Sequence, residues 1–344
     1  MSELMDDYLA NLLDEAEAMA RCAATSCPAE SSAVGSRASA GEFVRPRHGL
    51  FARTDYWDSL KPEEKMLHEA RALGYLHEPW VFSHATAAFA YGLPASYRYL
   101  HPIHYVVEGS SGGRSGKGTR RHCSQRAPST VVGGLRVTTP LRTVADCCLS
   151  LPFRDALPIA DAAVRAGVVS TDGLERACEA AAGRRGVATL RRVCAHVDPR
   201  AESGGESFVR GVLIDLGFEV VDVQLEVPDI ERPGRTRRLD IVLRRSDGRL
   251  VDLEVDGAGK YLDPEMTKGE DAVRLMMAER RREAGITAFD LAVIRMSPGQ
   301  ARSEELVRRR LALYGVHPQA PASKRARGAL DDGFDEFDGL DERA

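Results

Sequence analysis

The spacing of apolar residues changes once along this chain, close to Glu202, and that change limits the folds open to it. Upstream, apolar residues recur mainly at helical spacing. Downstream they alternate with polar ones in three successive runs, 218–227, 236–244 and 249–256, which is the period of half-buried strands. A helix over 206–217 opens this second half, and a helix over 265–283, a strand over 290–296 and a helix over 302–314 complete it. The order predicts an αβββαβα domain of the α/β class.

At 344 residues the chain is about twice a usual domain, so two domains with tails are expected. We divide it at 1–40, 41–200, 201–317 and 318–344. The first segment reads as a helix over 5–21, carrying Leu9, Leu12, Leu13 and Ala16 on one face, and a flexible link rich in Ser, Ala and Gly over 27–41. Two short extended pieces, Phe43-Val44 and Leu50-Phe51, flank the turn Arg45-Pro46-Arg47-His48-Gly49 and suggest a basic hairpin. Helices follow over 61–76 and 83–92, the second opened by Ser83 as N-cap. Extended runs are expected over 103–108 and 129–138, and helices over 140–150, 153–166, 171–182 and 187–197. The segment 318–344 is rich in Pro, Ala, Gly and acids, cannot build a core, and is expected to be disordered.

No apolar run approaches the roughly 18 residues needed to cross a bilayer. Acids crowd residues 1–20 where a secretory signal would be basic and then apolar, so the expected location is the cytoplasm. Seven cysteines at irregular spacing match no disulfide or zinc framework and read as reduced thiols. His101 and His104 flank Pro102 and read as loop residues, not ligands. The net charge of -4 conceals segregation: residues 41–205 carry 22 basic and 16 acidic groups, and every other segment is net acidic. Basic charge gathered in one segment is the footprint of a polyanion binder, or else a solvated surface. The stretch 112–118 lacks the first glycine and final hydroxyl of a phosphate loop, and reads as a flexible basic loop through Lys117, Arg120 and Arg121.

Strand alternation sets Asp252, Glu254 and Asp256 on one face and Val251, Leu253 and Val255 on the other. On the preceding strand Leu239, Ile241 and Leu243 point one way and Asp240 the other. Neighbouring carboxylates repel one another and are costly to desolvate without a cation, and an all-oxygen donor set favours magnesium or manganese. The alternative is an exposed strand face, its acids solvated or paired with Arg235, Arg237, Arg238, Arg244 and Arg245.

Residues 202–207 and 237–243, the run Leu253-Glu254-Val255-Asp256-Gly257 with Lys260-Tyr261, and residues 279–283 together resemble the very-short-patch-repair (Vsr) endonuclease-like domain of the PD-(D/E)XK superfamily. The resemblance implies a restriction-endonuclease-like domain that hydrolyses DNA phosphodiesters. Glu206, Asp240 and Glu254 would hold magnesium or manganese, with Asp256 beside them. Where the superfamily commonly carries lysine two residues after the strand glutamate, this chain carries Asp256, and Lys260 is the nearest substitute. Upstream, residues 44–51, 82–94 and 138–146 resemble antitoxins of the AbiE type IV toxin-antitoxin family, which begin with a winged helix-turn-helix. The resemblance implies DNA and a cognate toxin as partners. The 43–52 hairpin would be the wing, with Arg45, Arg47 and His48 at its tip, and Lys117, Arg120 and Arg121 would add to the DNA-binding surface. The function expected is a DNA-binding, metal-dependent endonuclease. The alternative is a regulator or antitoxin carrying an inert nuclease fold.

Overall fold

The computed structural model describes residues 2–109, 115–124, 126–229, 234–256 and 291–319. Lys260, the helix expected over 265–283 and almost all of the acidic tail lie outside them. Among the described residues the chain is mixed α/β with three sheets, and none of their helices is long and apolar enough to cross a membrane. It divides into two compact units. The first contains Met1–Ser150 and Asp172–Val187, and the second contains Leu151–Thr171 and the described residues from Ala188 onward. Two helical stretches that the sequence groups with the first half, around 153–165 and 188–196, therefore fall in the second unit.

In the first unit, α1 (Ser2–Ala18) buries Leu9, Leu13 and Ala16, spaced four and three apart on one helical face, against Ala23, Val34 and Phe51. Burying one such leucine contributes about 1.5–3 kcal/mol. The expected flexible link is instead a helix, α2 (Pro28–Ser39). Pro28 stands at its first turn, where the missing N–H costs nothing. The Glu30 carboxylate accepts the Ser26 N–H at 2.6 Å and the Ser26 hydroxyl at 2.9 Å, closing the start of the helix. Small residues and weak amphipathicity hid it from a periodicity reading. The hairpin forms as expected from β2 (Phe43–Arg47) and β3 (Leu50–Arg53), and β1 (Ala23–Ala24) adds a third strand in the order β1-β3-β2.

The same unit holds a five-stranded sheet ordered β6-β5-β4-β8-β7, from β4 (Val81–Phe82), β5 (Ile103–Glu108), β6 (Thr119–Ser124), β7 (Ser129–Val132) and β8 (Leu135–Thr138). Two expectations change here. Arg120 and Arg121 lie in strand β6, parallel to β5, and not in a loop, and the run over 129–138 is a two-strand hairpin. Helices α5 (His84–Ala90) and α6 (Pro140–Ser150) pack together, and α5 also packs on β5. Ser83 precedes α5 in extended conformation, but its hydroxyl caps no helix N–H.

The second unit is built around a four-stranded sheet ordered β12-β11-β10-β9, from β9 (Val220–Pro228), β10 (Thr236–Arg244), β11 (Leu250–Val255) and β12 (Ala292–Met296). The first three strands are antiparallel, and β12 runs parallel to β11. Helix α10 (Gly204–Asp215) covers one face, packing Phe208, Val209, Val212 and Leu213 on Ile241, Leu243, Val251, Leu253, Ile294 and Met296. It also packs on α7 (Phe153–Arg165), and the two backbones approach closely at Gly211, where a Cβ would lie 2.9 Å from the Arg154 Cα. Arg210 and Asp161 form a buried ion pair at 2.7 Å within this contact. The opposite sheet face carries a second cluster, around Leu239 and Val242 with Val221, Leu225 and Val293. Leu239 thus parts from Ile241 and Leu243, with which strict alternation grouped it. The register sets Asp240 opposite Gln224, whose φ of 54° is left-handed, and the period of two breaks there.

Candidate functional site

The carboxylates singled out in the sequence sit where β10 and β11 part. Their ladder runs from Arg244 opposite Leu250 to Ile241 opposite Leu253, and beyond that pair the Asp240 carboxylate accepts the Val255 N–H at 3.0 Å. A side chain replaces the next rung of backbone bonding. Glu206, in the first turn of α10, is turned to the same place: its carboxylate accepts the Glu202 N–H at 2.8 Å, the Ser203 hydroxyl at 2.8 Å and the Gln224 amide at 3.0 Å. Ser203 in turn caps α10 by accepting the Glu206 N–H at 3.1 Å. The Gln224 amide also donates to Asp240 at 3.3 Å, so one side chain ties the acid of α10 to the acid of β10. A non-glycine residue in left-handed backbone costs about 1–2 kcal/mol, and here that conformation places the bridging amide.

Glu254 is buried, and Arg295, its register partner on β12, lies 3.4 Å from its carboxylate. Asp252 is completely buried. The solvated acidic face weighed as an alternative is therefore corrected for these two residues: both faces of β11 are covered, and Val242 stands opposite Asp252. Asp256 is half-buried just past the strand, and its N–H donates to Met296. The sequence expects Glu206, Asp240 and Glu254 to share one ion. The geometry joins Glu206 and Asp240 through Gln224 and gives Glu254 a guanidinium neighbour.

The basic residues divide as sharply. Arg45 and His48 are exposed on the hairpin, as the sequence expects of a tip. Arg47 is a structural strut instead: it pairs with the buried Glu69 at 3.2 Å and donates to the Lys117 and Gly118 carbonyls at 2.6 and 3.1 Å. Three fixed partners hold this guanidinium away from a phosphate role. The strut also brings the hairpin beside the exposed Lys117. Arg120 and Arg121 are half-buried in β6, opposite His104 and Tyr105.

Sequence reasoning missed a third constellation. Among the described residues, His84, His104 and His122 form a group whose ring nitrogens lie within 4.8 Å of one another. His84 stacks on His122 with ring centroids 3.9 Å apart, and the His104 Nδ1 lies 3.0 Å from the His122 Nε2. The Ser83 hydroxyl, which caps no helix N–H, lies 2.9 Å from the His84 Nδ1. Backbone bonding pins the site. Ser83 donates its N–H to the His104 carbonyl at 3.1 Å, and the His104 N–H donates to the Thr86 hydroxyl at 2.9 Å. Burial drives all three imidazoles towards the neutral form. His84 is held well below the usual histidine range by burial and the neighbouring His104, and His104 falls to about 4 through burial and Arg120. His122 is also lowered, by burial first and then by His84 and His104. No local spacing signals this group, because the residues come from α5, β5 and β6, and one expectation is corrected: His104, which the sequence reads as a loop residue and not a ligand, lies in strand β5 within the group.

No family model matches the chain, and no solved structure matches it at a significant level. Two curated proteins of Mycobacterium tuberculosis do: Uncharacterized protein Rv2248 (strain H37Rv) and Uncharacterized protein MT2308 (strain CDC 1551), each 33% identical over 96 residues. The match covers 28% of this chain and 35% of each relative, so the chain spans about a third of the length of the curated relatives it matches.

Proposed function

We propose that this is a DNA-binding protein whose second unit hydrolyses DNA phosphodiesters with the help of a magnesium-class cation. The observation that carries the reading is the Gln224 amide, which holds the Glu206 and Asp240 carboxylates at the point where β10 and β11 part. The donor set fits the ion: Glu206, Asp240 and Glu254 offer only hard oxygens, the ligands that magnesium and manganese take. Such an ion supplies orientation of the attacking water and stabilisation of charge on the scissile phosphate. The chain's own contribution is to hold the acids in place, through the Ser203 and Glu202 donors to Glu206 and the Val255 N–H to Asp240. The order helix, three antiparallel strands and a further parallel strand supports the restriction-endonuclease-like reading. In the first unit, α1 and α2 with the β1-β3-β2 sheet support a winged-helix module that presents Arg45 and His48 to DNA.

A second reading has its own observation. Arg295 beside Glu254 supplies positive charge from within the fold, and Asp256 stands where a catalytic lysine is usual. On this reading the nuclease fold is inert, and the protein is a DNA-binding regulator or an antitoxin with a toxin partner. Full-length protein on supercoiled plasmid separates the two. Nicking in magnesium or manganese that EDTA stops supports the enzyme, whereas a gel shift without cutting on double-stranded, single-stranded or mismatched DNA overturns it.

A further inference from the structure

We propose that His84, His104 and His122 form a binding site for a divalent cation of the zinc class, separate from the carboxylate site and independent of the nuclease reading. Three ring nitrogens from three different elements lie within 4.8 Å of one another, close enough to share one ion after small ring rotations, given zinc–nitrogen distances of about 2.0–2.1 Å. An all-imidazole donor set suits zinc and its later transition-metal neighbours, and it does not suit magnesium or manganese.

The surroundings are built for ligation. His84 and His122 are buried, and His84 holds a left-handed φ of 54° at the start of α5. A histidine in that backbone region is strained, and the strain places its ring over His122. With the Ser83 hydroxyl beside Nδ1, Nε2 of His84 would be the nitrogen left for an ion, and the serine would be the outer bond that fixes an imidazole in metal sites. The hydrogen bonds from Ser83 and to Thr86 on either side of His104 lock the first turn of α5 to β5. An ion here would tie α5, β5 and β6 together, and three protein nitrogens leave a coordination position for water or another ligand.

The charged groups facing the cluster are Arg120, Arg142, Arg184 and Asp146, and the aspartate offsets part of the cationic repulsion that an ion would meet.

The test uses full-length protein stripped with a chelator and dialysed against zinc, with metal content read by elemental analysis. One zinc per chain is expected, with a Tm that rises with zinc but not with magnesium. His104→Gln and His122→Gln should each weaken zinc binding more than about tenfold while far-UV circular dichroism stays unchanged; loss of an outer-shell partner alone costs roughly that much. Should both variants unfold, cobalt(II) in the wild type keeps the question decidable, since a low-coordinate nitrogen site shows visible d–d bands. Wild type that takes up no zinc at micromolar concentration, zinc retained undiminished in both folded variants, or cobalt-loaded protein without those bands overturns the proposal. None of these readouts involves DNA cleavage, so failure here leaves the carboxylate site untouched.

Discussion

The two units differ in the polar groups they bury. Both bury acids, Glu30, Glu69 and Asp146 in the first and Asp161, Glu206, Asp252 and Glu254 in the second, but among the described residues only the first also buries imidazoles, those of His68, His84 and His122. Imidazole sheds its charge near neutral pH and needs no counter-ion inside a protein. A carboxylate must be supplied with donors or cations or it is driven to protonate. Accordingly Glu206 has three donors, and Arg295 lies beside Glu254. Asp161 has Arg210 at 2.7 Å and the Asp198 N–H at 2.8 Å, yet burial still raises its pKa above the usual aspartate range. What the two sites share is strain: His84 and Gln224 are two of the three described non-glycine residues with positive φ, and each stands at a candidate site. Backbone strain persists where surrounding bonds over-determine it, and here it sets nitrogen donors in one unit and the amide that joins two oxygen donors in the other.

The sharpest way to break this comparison is to remove charge from the oxygen site. Asp240→Asn keeps the shape of the side chain and its reach to the Val255 N–H. If the carboxylates hold a magnesium-class ion, nicking of supercoiled plasmid should fall by at least about 1000-fold, because the main charge-stabilising device is removed. Gel-shift affinity for the same DNA should stay within a few-fold. Cutting that survives undiminished would detach Asp240 from the chemistry.

Next in size is the buried ion pair that supports α10. Arg210→Ala leaves Asp161 without its cation, and urea unfolding should show a loss of about 3–5 kcal/mol, the usual cost of orphaning a buried charge. Replacing both partners, Asp161→Leu with Arg210→Met, should recover much of that loss. Recovery would show that the pair contributes specificity of packing more than net stability. Arg210 also donates to the His196 carbonyl at 2.7 Å, so recovery is expected to be partial.

These contrasts also explain what was legible in the sequence. Strand boundaries in the second unit followed from period-two alternation, and Thr236–Arg244 is the strand expected. Asp252, Glu254 and Asp256 drew notice because they alternate within one segment. Their burial was not legible, since it depends on what covers the second sheet face. The break at Gln224 was invisible too, because nothing in its local sequence signals a left-handed glutamine. Helix α2 escaped because Ala, Ser and Gly give little amphipathic signal, and the histidines escaped because only the parallel pairing of β5 with β6 brings His104 near His122. Local patterns reveal the residues of one element, while sites assembled across parallel strands depend on long-range register.

A smaller effect distinguishes direct binding from support among the arginines of the hairpin. Replacing Arg45 and Lys117 with alanine removes two exposed charges, and the slope of log affinity against log salt should flatten by about 0.9 for each phosphate that is no longer neutralised. Arg47→Ala should leave that slope nearly unchanged and lower thermal stability instead, because Glu69 and the Lys117 carbonyl lose their donor. The opposite pattern, a flatter slope with Arg47→Ala alone, would return that residue to the DNA.

The smallest expected effect tests whether neutral imidazole burial in the first unit extends beyond the cluster. His68, on α4 (Pro62–Leu76), lies 2.7 Å from the Glu64 carbonyl through Nδ1 and 2.7 Å from the Tyr56 hydroxyl through Nε2. A proton on Nδ1 serves the carbonyl, which leaves Nε2 to accept from the tyrosine; a second proton would break that bond. Burial lowers the His68 pKa, and the Glu64 carbonyl opposes the shift only in part. The folded state therefore binds fewer protons than the unfolded chain below the unfolded histidine pKa near 6.5. The stability linked to this group is complete above that pH and declines as pH falls towards the lowered folded value. Urea unfolding at pH 7.5 and pH 5.5 should show a drop for the wild type that is smaller in His68→Gln, which removes the titrating group. An equal drop in both proteins would assign the acid sensitivity to other groups and show that buried His68 contributes none of it.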